Sequence, residues 1–470
     1  MTARAVLALD QGTTGSTALV IAADGAVLGR GYREFAQHFP QPGWVEHDPM
    51  DLVASTLDAA REALAMAGVV PACIGITNQR ETLVVWERAT GRPVHRAIVW
   101  QDRRTADRCA ALAEEAPRIA VRTGLVLDPY FTATKLEWLL RRDDALARRA
   151  AAGELCAGTV DSWLIWQLTD GAVHATDPTN ASRTMLYDID RRAWSEELCA
   201  LFGVPAAMLP AVRPSRGDFG VAAARHLGHA LPIAGVAGDQ QAALFGQGCV
   251  APGQAKNTYG TGAFLLMNTG ATRPAGGDGL LTTLACDAQG DACYALEAAI
   301  FIAGAAVQWL RDGLGLLGAA SEAEAMAASL VSNEGVYFVP ALVGLGAPHW
   351  EAGARGMTGA HLVRAALEAM AYQTADVMAA MERNGGARLP ALRVDGGATA
   401  NTWLLQFQAD VLGVPVERPA MAETTALGAA GLAGIATGVW RSTDDFVASQ
   451  RIARIVPGTG QVGAASAVAG

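Results

Sequence analysis

At 470 residues the chain is long enough for roughly two to four domains with sizeable cores, and 51% hydrophobic against 17% charged residues excludes a disordered or collagen-like polymer. Its 36 basic and 46 acidic residues leave a net charge of −10 without a basic run, which argues against nucleic acid as the main partner. Only Lys135 and Lys256 are lysines, and neither lies in a Gly-Lys-Ser/Thr or Val-Ala-Ile-Lys context, so the Walker loop and the protein-kinase signature are excluded.

The segment from Ala5 to Gly31 reads as strand, Gly/Thr turn, strand, Asp24-Gly25 turn and strand, an antiparallel meander and not a Rossmann start. Asp48 is placed to cap a helix with Pro49 at its first position and Asp51 in its first turn, and Leu52, Val53, Leu57, Ala60 and Leu64 form its apolar stripe. The run Cys73-Ile74-Gly75-Ile76-Thr77 is strand-like and ends in Asn78-Gln79-Arg80-Glu81. Such alternation predicts α/β layers, with functional side chains at strand ends and in the loops that follow. The seven cysteines include no Cys-x-x-Cys pair, and Asp10 interrupts the N-terminal segment before a signal-peptide core can form. The longest apolar run, Ala298 to Val307, is about half of the roughly 20 residues a membrane span needs. The expectation is a soluble cytoplasmic protein with no membrane span, so the sequon at Asn180-Ala181-Ser182 carries no weight.

The apolar run Ile233–Ala237 ends in Gly238-Asp239-Gln240-Gln241. Further on, Asn257–Gly262 followed by Ala263–Met267 echoes Leu7–Thr14 followed by Thr17–Ile21, each reading as strand, Gly-Thr turn, strand. A β-turn-β unit repeated about 250 residues apart predicts two similar domains facing a shared cleft, with a boundary near Gly248. Helices are predicted at His361–Glu382, at Thr402–Leu412 and, shorter, from Thr425, a strand at Leu392–Val394, and a frayed tail after Pro457.

Asp10-Gln11-Gly12-Thr13-Thr14 joins a strand-end carboxylate to a Gly and two hydroxyls, the parts that hold a metal-nucleotide: carboxylate toward Mg²⁺, N–H groups and hydroxyls toward phosphate. Alone it reads equally as a Gly/Thr hairpin turn. Gly260-Thr261-Gly262 supplies a second loop of this kind and Asp395 to Asn401 a third, where a strand turns into a helix. A strand-end Asp239 can accept the proton of a substrate hydroxyl as its oxygen attacks a γ-phosphoryl group, or it can cap the following helix. Trp44, Trp163, Trp166 and Trp350 read as packing residues, and His226-x-x-His229 as a solvated face without the sequence neighbours of a metal site. Arg103-Arg104 reads either as a phosphate attractor or as a packing pair.

In order along nearly the whole chain, Asp10–Thr14, Pro42–Pro49, Asn78–Glu81, Trp100–Thr105, Asp128–Phe131, Gly238–Phe245, Asn257–Phe264 and Val394–Asn401 resemble the motifs of the glycerol kinases, carbohydrate kinases of the actin-like, ribonuclease-H-like fold. The resemblance implies an α/β chain of two ribonuclease-H-like (actin-like ATPase) domains flanking a central cleft: 1–248 with polyol binding and the first phosphate loop, 249–470 with the second phosphate loop and adenosine binding. It implies ATP- and Mg²⁺-dependent phosphorylation of glycerol to sn-glycerol 3-phosphate, and a homo-oligomer, dimer or tetramer. By the same resemblance Arg80, Glu81, Tyr130, Asp239 and Gln240 hydrogen-bond glycerol, and Trp100 and Phe264 form its aromatic walls. Thr13, Thr14, Gly15, Thr261, Gly304, Gln308, Gly397 and Asn401 contact nucleotide, Asp10 and Asp239 lie on the Mg²⁺ side, and Asp239 is the catalytic base.

Three departures stand against the pattern: Thr17 where the family usually has an Arg, a shortened Arg355–His361 segment, and the lack of the family's C-terminal helix after Trp440. The region around Leu227–Leu231 also lacks the Gly-Gly-Thr-Arg pattern tied to sugar-bisphosphate inhibition. Two other readings are therefore kept: a kinase for another polyol or ketose, and a catalytically impaired nucleotide- or polyol-binding protein.

Overall fold

The computed structural model describes residues 4–333, 335–338 and 359–458, so Trp350, most of the shortened Arg355–His361 segment and the tail from residue 459 lie outside the described residues. By internal contacts the chain forms two units, the first comprising Met1–Val250, Thr282–Tyr294 and Glu423–Gln450, the second Ala251–Leu281, Ala295–Ala422 and Arg451–Gly470. The division is not a single cut near Gly248, because two later segments return to the first unit.

In the first unit β1 (Ala5–Gln11), β2 (Gly15–Ala22) and β3 (Val27–Glu34) form the antiparallel meander. β4 (Cys73–Asn78) and β5 (Leu231–Gly238) add parallel strands, giving the order β3-β2-β1-β4-β5. β1 and β4 are almost wholly buried, as continuous apolar runs covered on both faces should be. On one side α1 (Pro49–Ala67) packs on β2 and β3; the Asp48 carboxylate accepts from the Met50 N–H at 2.8 Å, and Gly68 ends the helix in the left-handed conformation.

The helix Thr424–Ala436 covers β1, β4 and β5, and it also packs on α2 (Asp239–Gly246). It is buried along most of its length, which is why it reads as small residues without an amphipathic stripe. Glycine makes the approach possible: a Cβ at Gly75 would strike the Ala429 carbonyl, and one at Gly428 the Ala242 carbonyl. Trp163 and Trp166 join the core of this unit, with Trp86 5.2 Å from Trp163. Trp44 packs edge-on to Trp138 at 5.3 Å. Arg104 lies 3.8 Å over the Trp44 ring and pairs with Glu46 and Asp102, so it is a packing cation, whereas Arg103 is exposed and pairs with Asp128. His226 and its neighbour Arg225 both bond the Asp170 carboxylate at the surface.

In the second unit β6 (Ala255–Tyr259) and β7 (Ala263–Gly270) are antiparallel, β8 (Ala292–Ile300) lies beyond β7, and β9 (Leu392–Asp395) and β10 (Val416–Pro419) run parallel on the other side of β6. β11 (Ile452–Ile455) closes the edge. The order β8-β7-β6-β9-β10 is that of β3-β2-β1-β4-β5, so the echo between the two Gly-Thr hairpins marks a duplicated sheet topology. Helices α3 (Gly304–Asp312), α4 (Gly359–Gly385) and α5 (Thr402–Leu412) supply side chains to this unit's core. Among the described residues no helix is long and apolar enough to cross a membrane.

A buried carboxyl in the first unit makes stability pH-dependent. Asp161 accepts from the Thr159 hydroxyl at 2.5 Å and the Thr176 hydroxyl at 2.6 Å, yet burial, reinforced by the Asp177 charge, pushes its pKa from an ordinary 3.8 up to about 7. Between about pH 4 and 7 the folded chain holds this proton while the unfolded chain has released it. The stabilisation is therefore present at low pH and is lost as pH rises through about 7. Asp161→Asn, which keeps the neutral form at every pH, is expected to be more stable relative to the parent as pH rises from 5 to 8, by a few kcal/mol at most. Thermal unfolding of both proteins across that range checks it, and a difference that does not change with pH would refute it.

Candidate active site

The parallel strands β1, β4 and β5 end together, with Gln11 and Gly238 both in register with Asn78. The residues at and just beyond these carboxyl ends, Asp10, Arg80, Glu81 and Asp239, are thereby brought to one edge of the sheet, the place where ligands sit in open α/β sheets.

At that edge Arg80, buried, points its Nε at the Asp239 carboxylate at 3.1 Å and donates from Nη1 to the Gln241 side-chain oxygen at 3.2 Å. Asp239 is the first residue of α2, but the cap position is Gly238 and no side chain caps the helix. Its Oδ1 instead accepts from the Gln240 N–H at 2.6 Å and faces Arg80, with a third of the side chain still exposed (33%). The carboxylate thus serves a first-turn N–H of α2 and faces Arg80 at the same time.

Glu81 is buried with a φ of 62°, a left-handed backbone that costs a non-glycine residue on the order of 1–3 kcal/mol. Two contacts hold it there: Arg183 Nε donates to its carboxylate at 2.6 Å, and its carbonyl accepts from the Thr132 hydroxyl at 3.0 Å. Arg183, itself fully buried, lies 5.2 Å over Phe131 and 6.0 Å over Tyr130. Tyr130 meets Trp100 edge-on at 5.5 Å. Lys135 donates to the Tyr130 carbonyl at 2.6 Å, and burial lowers its pKa to about 7.

The first Gly-Thr loop joins this cluster through Trp100, whose indole N–H donates to the Thr13 hydroxyl at 2.9 Å. Amides fix the loop backbone: Gln11 and Gln79 donate to the Gly12 carbonyl at 2.7 and 3.0 Å, and Gln37 to the Thr13 carbonyl at 2.9 Å. Behind Gln37 stands His47 at 2.6 Å, its pKa lowered to about 4 by burial and then by His38, so at neutral pH it acts as an uncharged hydrogen-bonding ring. Thr14 is exposed, and Gly15 begins β2.

Asp10 is the electrostatic anomaly. Burial, then the like charges of Asp239 and Glu423, raise its pKa to about 7, and among the described residues no donor or cation reaches its carboxylate. Among the described residues no set of three His, Cys, Asp or Glu side chains makes a protein-only metal cage. A lone strand-end carboxylate near a second one nevertheless fits Mg²⁺, which keeps waters and substrate phosphates and takes only one or two protein carboxylates.

In the second unit the other two loops also converge. The Thr261 carbonyl accepts from the Ala303 and Ala305 N–H groups at 2.9 and 3.0 Å, and Gly304 donates to the Gly260 carbonyl at 3.0 Å, so the turn sits on the start of α3 with Thr261 and Gln308 exposed. Gly396, φ 89°, passes so close to Tyr259 that a Cβ there would strike its carbonyl, which brings Gly397 to the end of β6. Asn401 caps α5 by accepting from the Leu404 N–H at 2.9 Å. Phe264 lies on β7, its carbonyl accepting from Lys256 at 3.3 Å.

Asp10, Thr13, Thr14, Gly15, Arg80, Glu81, Trp100, Tyr130, Asp239 and Gln240 therefore belong to the first unit, and Thr261, Phe264, Gly304, Gln308, Gly397 and Asn401 to the second. Arg183 and Gln241 were not among the expected site residues. Gln241 lies within the Gly238–Phe245 motif, but nothing local announces that Arg183 and Gln241 bind Glu81 and Arg80.

Residues 5–246 match the N-terminal domain of the FGGY family of carbohydrate kinases and residues 255–437 match its C-terminal domain, and the chain belongs to this family. It is 57% identical over 462 residues to the glycerol kinase of Aromatoleum aromaticum, covering 96% of this chain and 93% of that one. It is 53% identical over 468 residues to the glycerol kinase of Carboxydothermus hydrogenoformans, covering 97% and 94%. Its structure resembles that of Plasmodium falciparum glycerol kinase with ADP, with a TM-score of 0.92 at 34% identity over 97% of this chain and 94% of that one.

Proposed function

We propose that the chain transfers the γ-phosphoryl group of ATP to a terminal hydroxyl of glycerol, giving sn-glycerol 3-phosphate and ADP, with Asp239 as general base. The observation that carries this reading is the cluster of Arg80, Glu81 and Asp239 at one strand edge beside the Trp100–Tyr130 pair, in a chain similar to glycerol kinases over nearly its full length.

A three-carbon triol needs a donor and an acceptor for each hydroxyl and an apolar wall for its C–H edge. Arg80, Glu81, Tyr130, Asp239 and Gln240 supply the first, Trp100 and Phe264 the second. Asp239, oriented by Arg80 and still open to solvent on one side, takes the hydroxyl proton as the oxygen forms its bond to the γ-phosphorus and the bond to the ADP leaving oxygen breaks. Asp10 and Asp239 would hold Mg²⁺, which when bound neutralises charge on the phosphate oxygens. By family resemblance Thr13, Thr14, Gly15, Thr261, Gly304, Gln308, Gly397 and Asn401 serve the nucleotide through N–H groups, hydroxyls and an amide. Thr17, where the family usually has an Arg, stands directly across from Asp10 in the β1–β2 pair. None of the seven cysteines forms a disulfide, which supports a cytoplasmic setting; a homo-oligomer is proposed on family resemblance.

Coupled ADP release by the purified chain with Mg²⁺ and ATP tests the function. Glycerol is expected to raise ADP release far above the acceptor-free blank and above a pentulose or tetritol. A preference for the pentulose or tetritol would reassign the acceptor, and ATP binding without glycerol-dependent ADP would leave a binding protein.

A further inference from the structure

Asp177 lies outside every assigned role, yet it is wholly buried and accepts five hydrogen bonds, none from a cation. The donors are the Thr179 N–H at 3.0 Å and hydroxyl at 3.0 Å, the Asn180 N–H at 3.0 Å and side-chain amide at 2.9 Å, and the Ser215 hydroxyl at 2.6 Å. An unpaired buried carboxylate is costly, and full hydrogen bonding is what makes it tolerable.

Each donor has a second contact, and two of these lead to the strand ends that carry the proposed chemistry. The Thr179 hydroxyl spends its one proton on Asp177, so its lone pair is left for the Gly238 N–H, which donates to it at 2.8 Å. Gly238 directly precedes Asp239. The Asn180 amide, oriented by Asp177, also donates to Asn78 Oδ1 at 3.2 Å and accepts from Asn78 Nδ2 at 3.0 Å; the same Nδ2 donates to the Gln79 carbonyl at 2.9 Å. Gln79 directly precedes Arg80. The third donor, Ser215, braces β5 further back, its carbonyl accepting from the Val236 N–H at 2.8 Å.

We infer that Asp177, acting through Thr179 and Asn180, is a positioning residue that sets the spacing of Asp239 from Arg80 and Glu81. The inference rests on the reading of Asp239 as the base. One side chain governs both strand ends because its two oxygens accept from every hydroxyl and amide around it, so each of these points a proton inward. The outward lone pairs and remaining N–H groups then have only one orientation in which to meet β4 and β5. Neutral partners in place of Asp177 would leave these rotors free to turn.

Thr179→Val removes the hydroxyl at nearly constant volume, and Thr179→Ser keeps it. Thr179→Val is expected to lower kcat for glycerol phosphorylation about tenfold or more, since displacement of a reacting group by about 1 Å can cost two orders of magnitude, with Mg-ATP affinity by calorimetry unchanged within about twofold. Thr179→Ser is expected to restore kcat to within about threefold of the parent. If Thr179→Val does not fold by circular dichroism, Thr179→Ala, which adds no bulk, takes its place. A folded variant lacking the hydroxyl that keeps the parent's kcat overturns the inference, as does a loss of kcat that Thr179→Ser shares. A parent without glycerol-dependent ADP release would instead overturn the functional reading, so the two failures are distinguishable.

Discussion

Asp239→Asn is expected to lower kcat for glycerol phosphorylation by about 10²–10⁴-fold, the range ascribed to a positioned general base, while ATP affinity measured without Mg²⁺ changes little. The substitution keeps the size of the side chain and one oxygen for the Gln240 N–H, so the start of α2 is preserved. What it removes is the carboxylate that faces Arg80 at 3.1 Å and can receive the hydroxyl proton. Initial rates of coupled ADP release at saturating glycerol, with ATP affinity measured separately, check this. An enzyme that keeps its full rate would take Asp239 out of the base role, and a parallel loss of ATP affinity measured without Mg²⁺ would shift it to nucleotide binding.

Arg183→Met is expected to destabilise the fold by about 3–5 kcal/mol, the usual cost of breaking a buried ion pair by removing one partner. Glu81 would remain buried, in a strained backbone conformation, with Arg80 at 3.8 Å and without the Arg183 guanidinium at 2.6 Å. Two consequences separate this from generic core damage. Adding Glu81→Gln to Arg183→Met should cost much less than Glu81→Gln costs alone, because the buried charge that lost its partner is also gone. The single variant should also raise the KM for glycerol, since the closest ionic contact that orients the Glu81 carboxylate is lost. Chemical denaturation of the two single variants and the double checks the first; strictly additive losses would show that the pair is not coupled.

How much of this was legible in the sequence follows from the range of each interaction. The two Gly-Thr hairpins are legible because strand periodicity and turn chemistry are local, and α1 and α5 because their caps or apolar stripes lie within a few residues. The helix Thr424–Ala436 is legible only as a short helix from Thr425, since its small residues answer to Gly75 and Ala242, far away in the chain. Its return to the first unit has no local signal either. At the site, Asp10, Arg80, Glu81 and Asp239 are legible as polar residues at the ends of apolar runs, and duplication strengthens the phosphate-loop reading. Trp100, Tyr130 and Phe264 come from family resemblance alone, because an aromatic residue reads equally as core. Arg183 escapes both routes: its partner Glu81 is 102 residues away, and an arginine in a turn ordinarily reads as a surface cation.

The chain's scarcity of lysine, first of use in excluding a Walker loop, has a practical side. Lys135 and Lys256 are both fully buried, one in each unit, and each donates to the backbone carbonyl of an aromatic residue, Tyr130 or Phe264. Since the sequence holds no other lysine, its folded surface presents no side-chain amine to acylating reagents or to the enzymes that modify lysine. Acylation at Lys135 or Lys256 then requires local opening of the unit around it, so the two residues form a built-in pair of probes that time the breathing of each unit separately.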